Sequence, residues 1–160
     1  MNIFVLDSDP VAAAWATADK HAVKMPLETA QMACTIARSL GADDVAYRST
    51  HANHPCTVWA ASSDEAWQWM LSHGLALCDT YSARYNGRRH ASEAVLRHIS
   101  GLKLTLPRRS MPEFAQAMPD VYRQPDAVAA YRAYYRGDKA RFATWRQPVQ
   151  TPDWWQTQAA

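Results

Sequence analysis

At 160 residues, with 48% hydrophobic and 20% charged side chains and a formal charge of +2, the chain has the make-up of one globular domain. These values exclude a disordered chain, a fibrous repeat and a protein held on nucleic acid by bulk charge alone. Cys34, Cys56 and Cys78 are widely spaced and form no C-x-x-C pair, so no disulfide framework is expected and a reducing cytoplasm is the natural setting.

In chain order, residues 2–6 form an apolar run closed by Asp7, without the basic flank or cleavage site of a signal peptide. No other uncharged run approaches the roughly 18 residues of a membrane span, so no membrane association is expected. Asp7-Ser8-Asp9-Pro10 supplies capping side chains and a proline suited to a first helical position, and predicts a helix from Pro10. Residues 19–40 have helical composition and end at Gly41, with Pro26 expected to kink or split the helix. Ser62-Ser63-Asp64-Glu65 carries a capping-box pattern that opens the longest helix, running to Asn86-Gly87 with Gly74 as its weak point. A short helix follows over 92–99. Pro107, Pro112 and Pro119 then mark residues 101–125 as a long loop wrapping the helices. Residues 126–136 and 138–145 predict two helices separated by Gly137, and residues 146–160 an extended tail. The expectation is a compact all-α fold, a single domain over 1–160 with a short extended N-terminus and a long Pro-rich loop. Trp15, Val23, Leu27, Ile36, Trp59, Trp67, Met70, Leu71 and Leu77 fall on apolar faces and are the expected core.

The chemistry is concentrated on the second helix. His21, Lys24, Glu28, Gln31, Thr35 and Arg38 recur at steps of three and four and share one stripe. Such a stripe is either the solvent-facing line of a buried helix or the wall of a polar cleft. His, Lys and Glu within two turns can donate, accept and hold protons near neutral pH, which makes Glu28, His21 and Lys24 the catalytic candidates. A second cluster, residues 50–56, offers His51, Asn53 and His54 as substrate contacts. Zinc on His51, His54 and Cys56 is the alternative there, but the standard ligand spacing is missing, so no metal or other cofactor is assigned. The third cluster includes Arg84, Tyr85 and His90 and suits either a phosphate contact or a basic helix C-terminus favoured by the macrodipole. Between residues 121 and 146, six arginines and lysines alternate with six aromatic residues, among them Tyr135, Lys139 and Trp145. That pattern suits a nucleic-acid surface, and equally an amphipathic helix whose rings are in the core.

Ala18-Asp19-Lys20-His21, continuing through Met25-Pro26-Leu27-Glu28, resembles the first catalytic helix of phage endonuclease V, the pyrimidine-dimer DNA glycosylase, a DNA-repair enzyme whose glutamate lies seven residues beyond the histidine. His54 to Trp59 ahead of a long helix, and Tyr134-Tyr135-Arg136-Gly137-Asp138-Lys139-Ala140, are similar to two further elements of that family in the same order. The full pattern is closer still to phage and bacterial proteins that begin Met-Asn-Ile-Phe and carry Asp-Lys-His and Asn-His-Pro motifs. The resemblance implies a compact all-α fold and cleavage of an N-glycosidic bond in double-stranded DNA with a base moved out of the stack. It assigns Glu28 as catalytic carboxylate, His21 and Lys24 as its neighbours, and the Tyr134 to Trp145 segment, with Lys139, as the grip on the duplex; Asp19, Lys20 and Gln31 are further candidate substrate contacts. One departure concerns the nucleophile. The family uses the α-amine of a small residue exposed by methionine removal, whereas Asn2 is bulky and about five extra residues precede the matching helix. The reading therefore predicts water as nucleophile and weak strand cleavage, with Met1 or Lys24 as the amines that could replace it. An enzyme on another nucleotide-type substrate, and a non-catalytic nucleic-acid- or protein-binding module, remain the alternatives.

Overall fold

Asp9 accepts a hydrogen bond from the Ala12 N–H and Pro10 takes the first position of α1 (Pro10–Trp15), as the capping pattern requires. The computed structural model describes residues 1–155; among them the regular structure is helical and no strand occurs. α2 (Asp19–Ser39) runs as one helix through Pro26, so the proline does not split it. A proline nitrogen cannot serve the carbonyl four residues back. In the same turn the Val23 carbonyl is met at 2.9 Å by His90 Nε2, a partner from outside the helix. Gly41, at φ +91°, then turns the chain into the left-handed region that stops the helix.

α3 (Pro55–Ala61) and α4 (Asp64–Arg84) follow, the second opened by Ser63, whose hydroxyl accepts from the Ala66 N–H. α4 ends two residues before the left-handed pair Asn86 and Gly87. α5 (Ser92–Ser100) completes the group: α4 packs on α1, α2, α3 and α5, while α2 also touches α3 and α5. Gly74 has a physical reason to be there. A Cβ at that position would lie 2.7 Å from Thr29 Cγ2 and 3.2 Å from Leu96 Cδ1, so its hydrogen lets α4 approach α2 at the residue next to Glu28.

The N-terminus is extended, as expected, but it lies inside the protein: Ile3, Phe4, Val5 and Leu6 are all buried. Three residues of the expected core lie outside it. Trp15, Val23 and Leu27 are 38%, 44% and 39% exposed. The extended segment and the C-terminal segment cover the His21 and Glu28 side of α2, which leaves Val23 and Leu27, beside Lys20 and Lys24, to face outward. Ile36, Trp59, Trp67, Met70, Leu71 and Leu77 are buried as expected.

The loop over 101–125 carries only the short 3₁₀ turn Asp120–Tyr122. Beyond it, α6 (Ala127–Tyr134) passes into a π turn, Tyr135–Lys139, and the second helix expected over 138–145 does not form. Its backbone is recruited elsewhere: the Thr144 carbonyl accepts from the Asp19 N–H at 2.8 Å and the Asp19 carboxylate accepts from the Arg146 N–H at 3.0 Å. The tail to residue 155 packs back, with Val149 buried and Trp154 and Trp155 edge-on to Tyr135 and Trp145. The remainder of the expected tail, 156–160, lies outside the described residues. No helix among those described is long and apolar enough to cross a membrane.

Replacing Gly74 with Ala should force α2 and α4 apart and destabilise the protein by roughly 1–3 kcal/mol in urea unfolding. Thr29→Ser removes the methyl that the new Cβ meets, so the double variant should recover part of the loss; strict additivity of the two changes would refute the close-packing account.

Candidate active site

Glu28 is buried, 8% exposed, and both its oxygens meet donors from different parts of the chain. The Asn2 backbone N–H donates to Oε2 at 3.0 Å and the Met1 α-ammonium lies 3.6 Å from the same atom. Lys24, one turn earlier on α2, reaches Oε1 at 3.1 Å. The two amines differ in setting. Lys24 is 65% exposed along its side chain, whereas the Met1 side chain is 3% exposed and the residue as a whole only half-buried, so its accessible part is the backbone end that carries the amine.

Asn2 fixes this end of the chain. Its side-chain N–H donates to the Ala117 carbonyl at 2.8 Å, and its Oδ1 lies 3.1 Å from the Tyr131 hydroxyl, which also sits 2.8 Å from the Ala115 carbonyl and has one proton to share between them. The Cys56 thiol, pushed up to about 11 by burial and so protonated, is a further donor to Oδ1 at 3.6 Å. The bulk that argues against an exposed second residue is thus what anchors the N-terminus beside the carboxylate.

His21 is buried against Phe4, ring on ring at 4.2 Å, and its Nδ1 is hydrogen-bonded to the Tyr135 hydroxyl. Burial, reinforced by Lys139 and Lys24, lowers its pKa to about 3, so it is a neutral imidazole under ordinary conditions. It supports the wall behind the site. His54 comes closer to Glu28 and the N-terminus than its place in the sequence implies: its Nδ1 accepts from the Cys56 N–H and opens α3, while desolvation first and then the N-terminal ammonium and His51 lower its pKa against an opposing pull from Glu28.

His51 and Asn53 are exposed in the same loop, His51 at φ +52° with Nδ1 2.6 Å from the Thr50 hydroxyl. Among the described residues no three His, Cys, Asp or Glu side chains gather into a metal-holding group. Gln31 is half-buried on the same helix, farther along the stripe.

The other candidates divide into two groups. Arg84 and Tyr135, 2% and 0% exposed, are enclosed by the protein. Arg84 pairs with Asp19 at 3.3 Å and donates to the Thr17 carbonyl at 2.6 Å, and Asp19 also holds Thr144 and Arg146, so this pair fastens α2 to α4 and to the C-terminal segment. His90 serves the Val23 carbonyl, Tyr85 lies under the Arg146 guanidinium at 5.0 Å, and Trp145 donates to the Ala16 carbonyl at 3.0 Å. The second group gathers around Phe142 and Tyr134 on the His21 side of α2. Lys20 lies 5.2 Å from the centre of the Phe142 ring, Arg141 is 5.8 Å from the same ring, and Phe142 contacts His21 edge-on. Lys139 donates to the Tyr134 hydroxyl at 2.8 Å. Lys139 and Lys24 both act electrostatically on His21, and of these cations Lys24 is the one that reaches the Glu28 carboxylate.

Sequence reasoning placed Glu28 and Lys24 together but had no local signal for Met1 and Asn2, which lie 26 or more residues away along the chain. Comparisons with protein-family models, curated proteins and solved structures give no match, so the chemistry of the site is argued from its own residues.

His73 is also driven down to about 3 by burial, stacked on Trp69 with both ring nitrogens unpaired. Both folded-state values lie below the ordinary 6.5 of the unfolded chain, so between pH 6.5 and about 3 the unfolded state binds the extra protons. The stabilisation these neutral rings give is complete above pH 6.5 and is lost as pH falls through that window. Unfolding free energy should therefore decline from pH 6.5 toward 4, and His73→Phe should flatten the decline by about one proton's worth of slope. Imidazole NMR signals of His21 and His73 that titrated near pH 6.5 would refute this.

Proposed function

We propose that this protein is a DNA N-glycosylase acting inside the cell on a damaged or modified base in duplex DNA, with Glu28 as catalytic carboxylate and the N-terminal α-amine as nucleophile. The observation that carries this reading is the primary amine held 3.6 Å from a buried carboxylate. The resemblance of the Asp19 to Glu28 element to endonuclease V supports the same activity. The geometry favours an amine over water, against the expectation drawn from the bulk of Asn2. If Met1 is removed, the nitrogen of Asn2, 3.0 Å from Glu28, becomes the terminal amine in its place.

The reaction follows from these groups. The unprotonated amine attacks C1′ of a nucleotide turned out of the stack. The C1′–N bond breaks, and its electron pair leaves on the base, which takes a proton from water. Glu28 accepts a proton from the newly bonded nitrogen and returns it to O4′ as the C1′–O4′ bond opens, leaving a protonated imine between enzyme and sugar. The carboxylate also stabilises the positive charge that develops at C1′ as the base departs. Lys20, Lys24, Lys139 and Arg141 meet the flanking phosphates, and the exposed Val23 and Leu27 lie among them where unstacked bases offer apolar surface.

Duplex DNA bearing an abasic site tests the amine without knowledge of the base. Borohydride should reduce the imine to a stable crosslink that mass spectrometry maps to the N-terminal residue. Glu28→Gln should lower its rate of formation by about 10²–10⁴-fold while leaving the fold intact. A short extension ahead of Met1 should abolish it. Failure of the wild type to crosslink, or a crosslink indifferent to Glu28→Gln, would reject the assignment.

Binding is a separate prediction. Lys139→Ala should weaken affinity for duplexes of any sequence and reduce the slope of log affinity against log salt by about one. Binding that does not respond to salt would remove the phosphate contacts from this reading.

A further inference from the structure

A cavity of about 560 Å³ lies beside the C-terminal half of α2, between that helix, α3 and the loop at residues 49–52. Its α2 residues begin at Thr35, about 10 Å along the helix from Glu28, so it is distinct from the site above and does not rest on the reaction proposed there.

Its lining combines two arginines with an apolar wall. Arg38 donates through Nε to the Tyr47 carbonyl at 3.0 Å and through Nη2 to the Val45 carbonyl at 2.7 Å, which holds the guanidinium still and leaves Nη1 uncommitted. Arg109 donates through Nε to the Ser62 carbonyl at 2.6 Å and keeps both terminal nitrogens. Neither arginine has an acidic partner among the described residues, and no acidic side chain lines the cavity. Terminal guanidinium N–H groups with no carboxylate to meet them call for an acceptor that comes from outside. Ile36, Ala52, Val58 and Ala61 make up the apolar side.

We propose that this cavity binds a phosphate monoester carrying a small apolar body. A dianion with three peripheral oxygens can take the free N–H groups of both arginines together, while a carboxylate offers one charge and two oxygens. The volume falls within the range of ordinary small-molecule sites, and the apolar wall has room for a ring beyond the phosphate.

Phenyl phosphate, inorganic phosphate and benzoate separate the parts of the claim, read by calorimetry and amide NMR on the whole chain. Phenyl phosphate should bind about tenfold or more tighter than either of the others, each of which lacks one half of the recognised group. Arg109→Ala should weaken phenyl phosphate by about tenfold. Arg38→Gln should weaken it to a similar extent, with the amide spectrum of the unliganded variant checking that the fold is kept. The proposal is overturned if phenyl phosphate does not bind at millimolar concentration, if benzoate or inorganic phosphate equals it, or if both variants bind it as the wild type does.

Discussion

The burial of an extended peptide in an all-helical protein is the constraint from which the rest of this structure follows. Ile3 to Leu6 contribute four apolar side chains to the core, but an extended backbone carries its polar groups with it, and a helical protein has no neighbouring strand to pair them. Side chains supply partners at both ends. Glu28 accepts from the Asn2 N–H, and Arg132 donates to the Leu6 carbonyl at 2.8 Å while its guanidinium also reaches Asp7. Glu28 is therefore a structural acceptor as well as the carboxylate on which the proposed reaction depends. A chain end held this way has little freedom, and a nucleophile held at fixed distance from its carboxylate loses little entropy when it reacts.

The same constraint explains which parts of the sequence could be read. Capping at Asp9 and Ser63, the stop at Gly41 and the proline-punctuated loop are local events, decided by a few neighbouring residues, and they appear where the sequence puts them. The face of α2 was different. Periodicity identifies one polar stripe and its apolar flanks, but it does not say which side a distant segment will cover. Here the N-terminal segment covers the stripe at His21 and Glu28, so Val23 and Leu27 are left facing outward. The helix expected after Gly137 failed for a related reason: residues 144 and 146 are bonded to Asp19, more than a hundred positions away. The pairing of Glu28 with Lys24 was legible because it lies within one turn; its pairing with Met1 and Asn2 depends on the tertiary fold.

Buried polar groups mark where this fold gives up stability for geometry. The Asp19 and Arg84 pair removes two charges from water, and Arg84 Nε and Nη1 have no hydrogen-bond partner. Such a pair is a weak source of net stability, since desolvation offsets much of the attraction, yet losing one partner would strand the other. Its value lies in registration: one ion pair sets the start of α2 against the end of α4, and the free acceptors of Asp19 position the Thr144 to Arg146 segment. That registration puts Phe142 over Lys20 and closes the His21 side of the site. Gly74 sets the same two helices at their crossing, next to Glu28.

The two amines at Glu28 can be ranked by the same reasoning. Lys24 belongs to the helix, so its distance to Glu28 is set by local geometry, but its side chain is mostly in water and must give up rotamer freedom and hydration to attack a sugar carbon. The Met1 amine has already lost that freedom. Its side chain is packed, the next residue is bonded at both backbone and side chain, and the segment beyond is in the core. In the proposed glycosylase reaction Lys24 would have a separate part to play: placed on the opposite carboxylate oxygen and open to solvent, it would hold a phosphate while Glu28 acts on the sugar. On that proposal the core would position the nucleophile and the helix surface the substrate, with the Glu28 carboxylate as the group common to both.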